Sequence, residues 1–170
     1  MNKMNVISFA RTGHILGAVT RNSQAEKLMT VQEAAGQGLY LRAPGAAALS
    51  IVVGEDVLAV SQVNQDTRVL YQPTLFLVSG SDIEQQNAGL PTVALDGVDI
   101  SLTVPVAVLD DTAVWAYISG PGLNTPVSRT VTILQGATNA SEALILATGS
   151  YTVLILAPGY AARIVVENVP

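Results

Sequence analysis

With a single histidine, the chain has one obvious place to look for acid–base or nucleophilic chemistry, His14. An acyl-transfer centre would need that imidazole beside a nucleophile and a carboxylate. No Gly-x-Ser-x-Gly elbow occurs, so His14 is read as a strand or turn residue rather than a catalytic base. Asp96 with Asp99, and Asp110 with Asp111, are oxygen-ligand pairs that could hold a calcium ion at one end of a β-sandwich. Neither pair has the Asp-x-Asp-x-Asp spacing of a loop that wraps an ion, and the competing expectation is a turn carboxylate bonding its own backbone. Whether any two carboxylates stand at a glycosidase separation is not defined by spacing along a chain.

Trp115 and Tyr117 are two apart in a strand-like run and therefore share a face. Exposed, they could stack on a sugar ring. As the chain has one tryptophan and 5% aromatic residues, no extended platform is available, and a tryptophan packed between sheets is expected. Asn139-Ala140-Ser141 is a glycosylation sequon that would matter only in an exported protein. Some surface β-sandwich families close a Lys-to-Asn crosslink within a domain. The only lysines here are Lys3 and Lys27, so a C-terminal domain has none to supply.

Composition narrows the remaining classes. Of 170 residues, 49% are hydrophobic and 12% charged, about half the ordinary charged share, and mean hydropathy is +0.43. No uninterrupted apolar run approaches the roughly 18 residues of a membrane span; the longest candidate, 143–157, is broken by Thr148, Gly149, Ser150 and Thr152. The N-terminal run to Arg11 offers only a short, Ser-interrupted apolar stretch, so no secretory signal is expected, and synthesis in the cytoplasm or incorporation into a particle follows. Net charge is −5, unfavourable for a nucleic-acid partner, which needs clustered Lys and Arg. Residues 1–85 hold six Lys and Arg against seven acids, and residues 86–170 two against six. With no cysteine, disulfides and thiolate metal sites are excluded.

The elements that would position these residues are strands. Val6–Phe9 and His14–Thr20 flank an Arg11-Thr12-Gly13 turn. Thr30-Val31-Gln32-Glu33 fits a capping box, with Gly36 as the stop, and is the one helix expected. Strands follow at 39–42, 49–53, 57–63, 68–71 and 74–79, with turns at Ala43-Pro44-Gly45 and Gly54-Glu55-Asp56. Residues 79–91 are polar and turn-rich, so 81–91 is read as a linker between an N-terminal β domain, 1–80, and a C-terminal domain, 92–170. Beyond the linker, runs at 92–95, 100–108, 113–119, 129–134, 143–147, 151–157 and 163–169 make about seven strands spaced roughly 8 to 12 residues apart, the pattern of a sandwich. The fold class expected is all-β.

The last two runs say most. Tyr151–Leu156 is aromatic, β-branched or aliphatic on both faces, as in a strand buried on both sides. Pro158 presets φ for the first corner of a turn and Gly159 supplies the positive φ of the second, a type II turn, before the chain returns through Ile164, Val165 and Val166. The pattern Gly149-x-Tyr151-x-Val153, an apolar strand, then Ala157-Pro158-Gly159-Tyr160 resembles the closing hairpin of carboxypeptidase regulatory-like (prealbumin-like) β-sandwich domains. The resemblance is confined to 149–167 and implies a non-catalytic module with an immunoglobulin-like or prealbumin-like sandwich.

A domain of about 85 residues buries only about 60 to 65% of its unfolded surface, so a chain this apolar is expected to hide the remainder against a partner. The expected function is therefore structural and non-enzymatic, without a cofactor: a homo-oligomer, or a subunit of a coat, tail, sheath or baseplate-like particle such as a virion or phage tail. The rival expectation is a ligand- or carbohydrate-binding module centred on Trp115 and Tyr117.

Overall fold

The computed structural model describes residues 3–20, 27–45 and 49–170, and these are mostly strand, an all-β fold. The chain divides into two compact units, Met1–Leu39 with Val53–Ala88, and Tyr40–Val52 with Gly89–Pro170. The division at 88/89 falls inside the polar stretch, but the second unit also takes an excursion from the N-terminal half. A boundary drawn on composition assumes that each domain is one continuous run of chain, and this one is not.

In the first unit β1 (Lys3–Phe9) is central, between β2 (Ile15–Val19) and, on its other side, β5 (Leu58–Asn64), both antiparallel to it. The β1–β2 turn closes through Gly13, at φ 74, whose amide donates to the Phe9 carbonyl at 2.8 Å. Helix α1 (Val31–Ala35) starts on the expected capping box: Thr30 Oγ1 accepts from the Glu33 amide at 3.1 Å, and a Glu33 carboxylate oxygen accepts from the Thr30 amide at 2.8 Å. Strands β3 (Gly38–Arg42) and β4 (Ser50–Gly54) pair as a two-stranded sheet.

Residues 68–71, expected as a strand, form a second helix, α2 (Thr67–Tyr71). The Asp66 side chain accepts from the Arg68 amide at its start, and Pro73 opens a 3₁₀ turn after its end. Four residues are too few to reveal a 3.6-residue period, so β-favouring types dominate the expectation there. Strands β6 (Phe76–Ser79) and β7 (Asp82–Gln85) then form a hairpin across Gly80 and Ser81. This hairpin occupies the start of the expected linker. β7 reads as a linker because it is largely exposed and so carries polar residues. Met4, Val6, Ile15, Val63, Val69 and Phe76 form one hydrophobic core cluster of this unit.

The second unit holds β8 (Thr92–Leu95), β9 (Asp99–Thr103), β10 (Thr112–Ser119), β11 (Val127–Ile133), β12 (Asn139–Ala143), β13 (Gly149–Leu156) and β14 (Arg163–Val169). They make a four-stranded sheet in the order β11-β10-β13-β14 and a three-stranded sheet in the order β12-β9-β8, antiparallel throughout. Ile100 and Leu102 from one sheet and Val114, Ile118, Val131 and Val153 from the other share a single core, a β-sandwich-like arrangement. β14 runs beside β8 and β11 beside β12, so the sheets approach each other along both sides.

Two expected strands shift. The run 100–108 stops at Thr103, close to Pro105, which has no amide to donate to a ladder. The run 143–147 is replaced by β12, whose exposed residues pair with β9. The apolar alternation there is real: Leu144 and Leu146 are buried, and their amides donate to the carbonyls of Val98 and Gly97 at the β8–β9 turn.

The β13–β14 hairpin matches expectation. Tyr151 to Leu156 are all fully buried, and the register runs unbroken from Gly149 opposite Val169 to Ile155 opposite Arg163. The Tyr160 amide donates to the Ala157 carbonyl at 3.1 Å, with Gly159 at φ 81. With proline at the first corner this is the type II turn.

Candidate functional site

The residues singled out for chemistry are dispersed. His14 lies in the first unit, fully buried, on an isolated bridge to Leu77, with Nδ1 2.7 Å from Thr12 Oγ1.

Asp96 and Asp99 terminate the β8–β9 turn. Asp96 Oδ1 accepts from the amides of Asp99 at 2.7 Å and Val98 at 3.0 Å, and these bonds, that from Asp99 foremost, hold its carboxyl below the usual carboxylate range. Asp110 and Asp111 lie between β9 and β10. Asp111 Oδ1 accepts from the Gln135 amide at 2.9 Å, and the Asp110 carbonyl accepts from Thr112 Oγ1 at 2.8 Å. In each pair one carboxylate serves a turn or loop. No group of three or more His, Asp or Glu side chains suited to one metal ion occurs among the described residues.

Trp115 and Tyr117 are not in the core. On β10 the side chains of Val114, Ala116 and Ile118 face the opposite sheet, and Trp115 and Tyr117, half-buried, take the outer face. Their cross-strand partners on β13, Leu156 and Leu154, are fully buried, so that outer face is covered along β13. Both faces of β10 are apolar, and a period of two does not say which set faces inward. The sequon is on β12, where Asn139 is exposed and Ser141 Oγ is 2.7 Å from Ser101 Oγ. Lys3 donates to Asn64 Oδ1 at 2.8 Å on the exposed rim of the first sheet.

The fold also brings together a constellation that no motif announces. Thr112 pairs with Ile133 and Asn139 with Thr103, so the connections 104–111 and 134–138 meet at one end of the sandwich. Backbone bonds from Val108 to Ala137 and from Gly136 to Val108 lace them together. They carry Val106, Leu109 and Leu134, with Leu109 85% and Leu134 62% exposed. At the opposite end, Val98 and Ile145 are exposed, Ile145 by 86%. Hydrophobicity alone puts Leu134 and Ile145 in strands. The one cue against it is setting, Leu134 directly before Gln135-Gly136 and Leu109 directly before two aspartates.

Tyr151, the first fully buried residue of β13, reaches out of the core at the Val98 end. Its hydroxyl lies 2.8 Å from the Ala147 carbonyl and 2.9 Å from that of Pro121, with its ring packed against Gly120. It ties two connections to the start of a central strand.

Among the described residues, no helix is long and apolar enough to cross a membrane. The chain matches no family model, no curated protein and no solved structure.

Proposed function

We propose that this chain is a non-enzymatic structural protein that self-associates or packs as a subunit of a larger particle of coat, tail, sheath or baseplate type. The observation that carries this reading is the set of large apolar side chains left in water at the ends of the sandwich, Leu109 and Ile145 above all. Scattered exposed apolar residues are ordinary on a protein surface. Here, however, two loops joined by backbone bonds present three of them at one end, on a chain with only 12% charged residues. Covering a Leu-sized side chain is worth about 1.5 to 3 kcal/mol, which favours association.

An immunoglobulin-like reading of the second unit goes with this proposal. It is supported by seven antiparallel strands split four and three, and by a tyrosine at the start of the sixth that bonds back to a carbonyl four residues upstream, as in the tyrosine corner of such domains. Such a fold is a scaffold and does not itself specify an activity.

Light scattering over a concentration series tests the proposal. The mass should rise with concentration and change little with salt, because the contact is mainly apolar. Leu109→Asp combined with Ile145→Asp should lower the mass at every concentration. A wild-type protein that stays monomeric at tens of micromolar in moderate salt overturns self-association.

A second reading, a carbohydrate-binding module, draws support from the position of Trp115 and Tyr117 outside the core. Titrating Trp115 fluorescence with oligosaccharides decides it: a saturable change supports binding, and an unchanged spectrum removes the reading.

A further inference from the structure

We draw no further inference here: the strongest candidate, the exposed apolar cluster of Val106, Leu109 and Leu134 beside Asp110 and Asp111 at one end of the sandwich, carries nothing because nothing in the structure shows what covers it.

Discussion

Strands β1 and β13 are the most deeply buried strands of their units, and they are built from different chemistry. From Tyr151 to Leu156, the only polar side-chain groups of β13 are the hydroxyls of Tyr151 and Thr152, and its register to both neighbours is unbroken. β1 buries Asn5 and Ser8 among its apolar residues, and its pairing with β2 shifts between Ile7 and Ser8. Both polar atoms of the Asn5 side chain are engaged, since Oδ1 accepts from the Met29 amide at 3.1 Å and Nδ2 donates to the Lys27 carbonyl at 3.3 Å. The first unit thus uses a core amide to hold a segment that belongs to no sheet. The second closes its core with side-chain packing and secures its connections with the Tyr151 hydroxyl at the edge. Buried polar groups are tolerable where they find hydrogen-bond partners, and Asn5 and Tyr151 find theirs in different ways.

The largest effect expected from this contrast is at Tyr151. Tyr151→Ala removes a fully buried aromatic ring and should cost about 3 to 5 kcal/mol. Tyr151→Phe keeps the ring and takes away the hydroxyl that two carbonyls share, for about 1 to 3 kcal/mol. Trp115, the single tryptophan, is in the second unit, so urea unfolding followed by its fluorescence reads both variants there. Equal midpoints for Tyr151→Phe and wild type would show that packing alone holds this end.

Glycines provide the next comparison. Gly13 and Gly159 both have positive φ, but a Cβ on Gly13 would stand 2.8 Å from the Val78 carbonyl oxygen, whereas one on Gly159 would meet nothing within 4 Å. Gly159→Ala should therefore cost only the left-handed backbone conformation, about 1 to 2 kcal/mol. Gly13→Ala adds a forced backbone shift, for roughly 2 to 4 kcal/mol in all. Thermal unfolding of the two variants ranks them, and a reversed order would contradict the close approach at Gly13.

Asn5→Ala is expected to cost about 1 to 3 kcal/mol, through the buried Met29 amide and the Lys27 carbonyl left without partners. Its signature is local. Amide exchange at Met29 should accelerate, and unchanged protection there would mean that the segment is held by packing of the Met29 side chain instead.

The same difference in chemistry explains what can be read from the sequence. The β13–β14 hairpin and its type II turn are legible because apolar alternation, proline and glycine all point one way, and the Thr30–Glu33 capping box because its two hydrogen bonds need specific side chains at a fixed spacing. What escapes lies where local pattern is mute. α2 depends on the Asp66 cap and is too short for a period. β7 is an exposed edge whose polar residues look like a linker. The outward turn of Trp115 is hidden because both faces of β10 are apolar and the larger side chains are the natural choice for the core. The exposed Leu134 and Ile145 pass for strand residues because hydrophobicity reports what a residue prefers, and not whether a neighbour is there to cover it.

The smallest effect compares one carboxylate from each unit. Asp66 is held below the usual carboxylate range first by the side-chain hydrogen bond from Arg68, against some opposing desolvation; the ion-pair distance is 2.7 Å. Asp96 is held below it by backbone amides, that of Asp99 foremost. In both cases the folded pKa lies below the unfolded one, so each group adds stability above its unfolded pKa that is lost as pH falls through the folded value. The contribution at Asp66 should be small, because an exposed ion pair is worth little. Salt separates the two causes. The guanidinium of Arg68 is two-thirds exposed and its attraction is screened, whereas the amide donors to Asp96 are fixed by the turn between β8 and β9. Carboxyl NMR titrations at low and at molar salt should therefore show Asp66 moving up toward the ordinary value while Asp96 stays depressed. Equal upward movement of both would mean that Asp96 is governed by distant charges and not by the amides of its own turn.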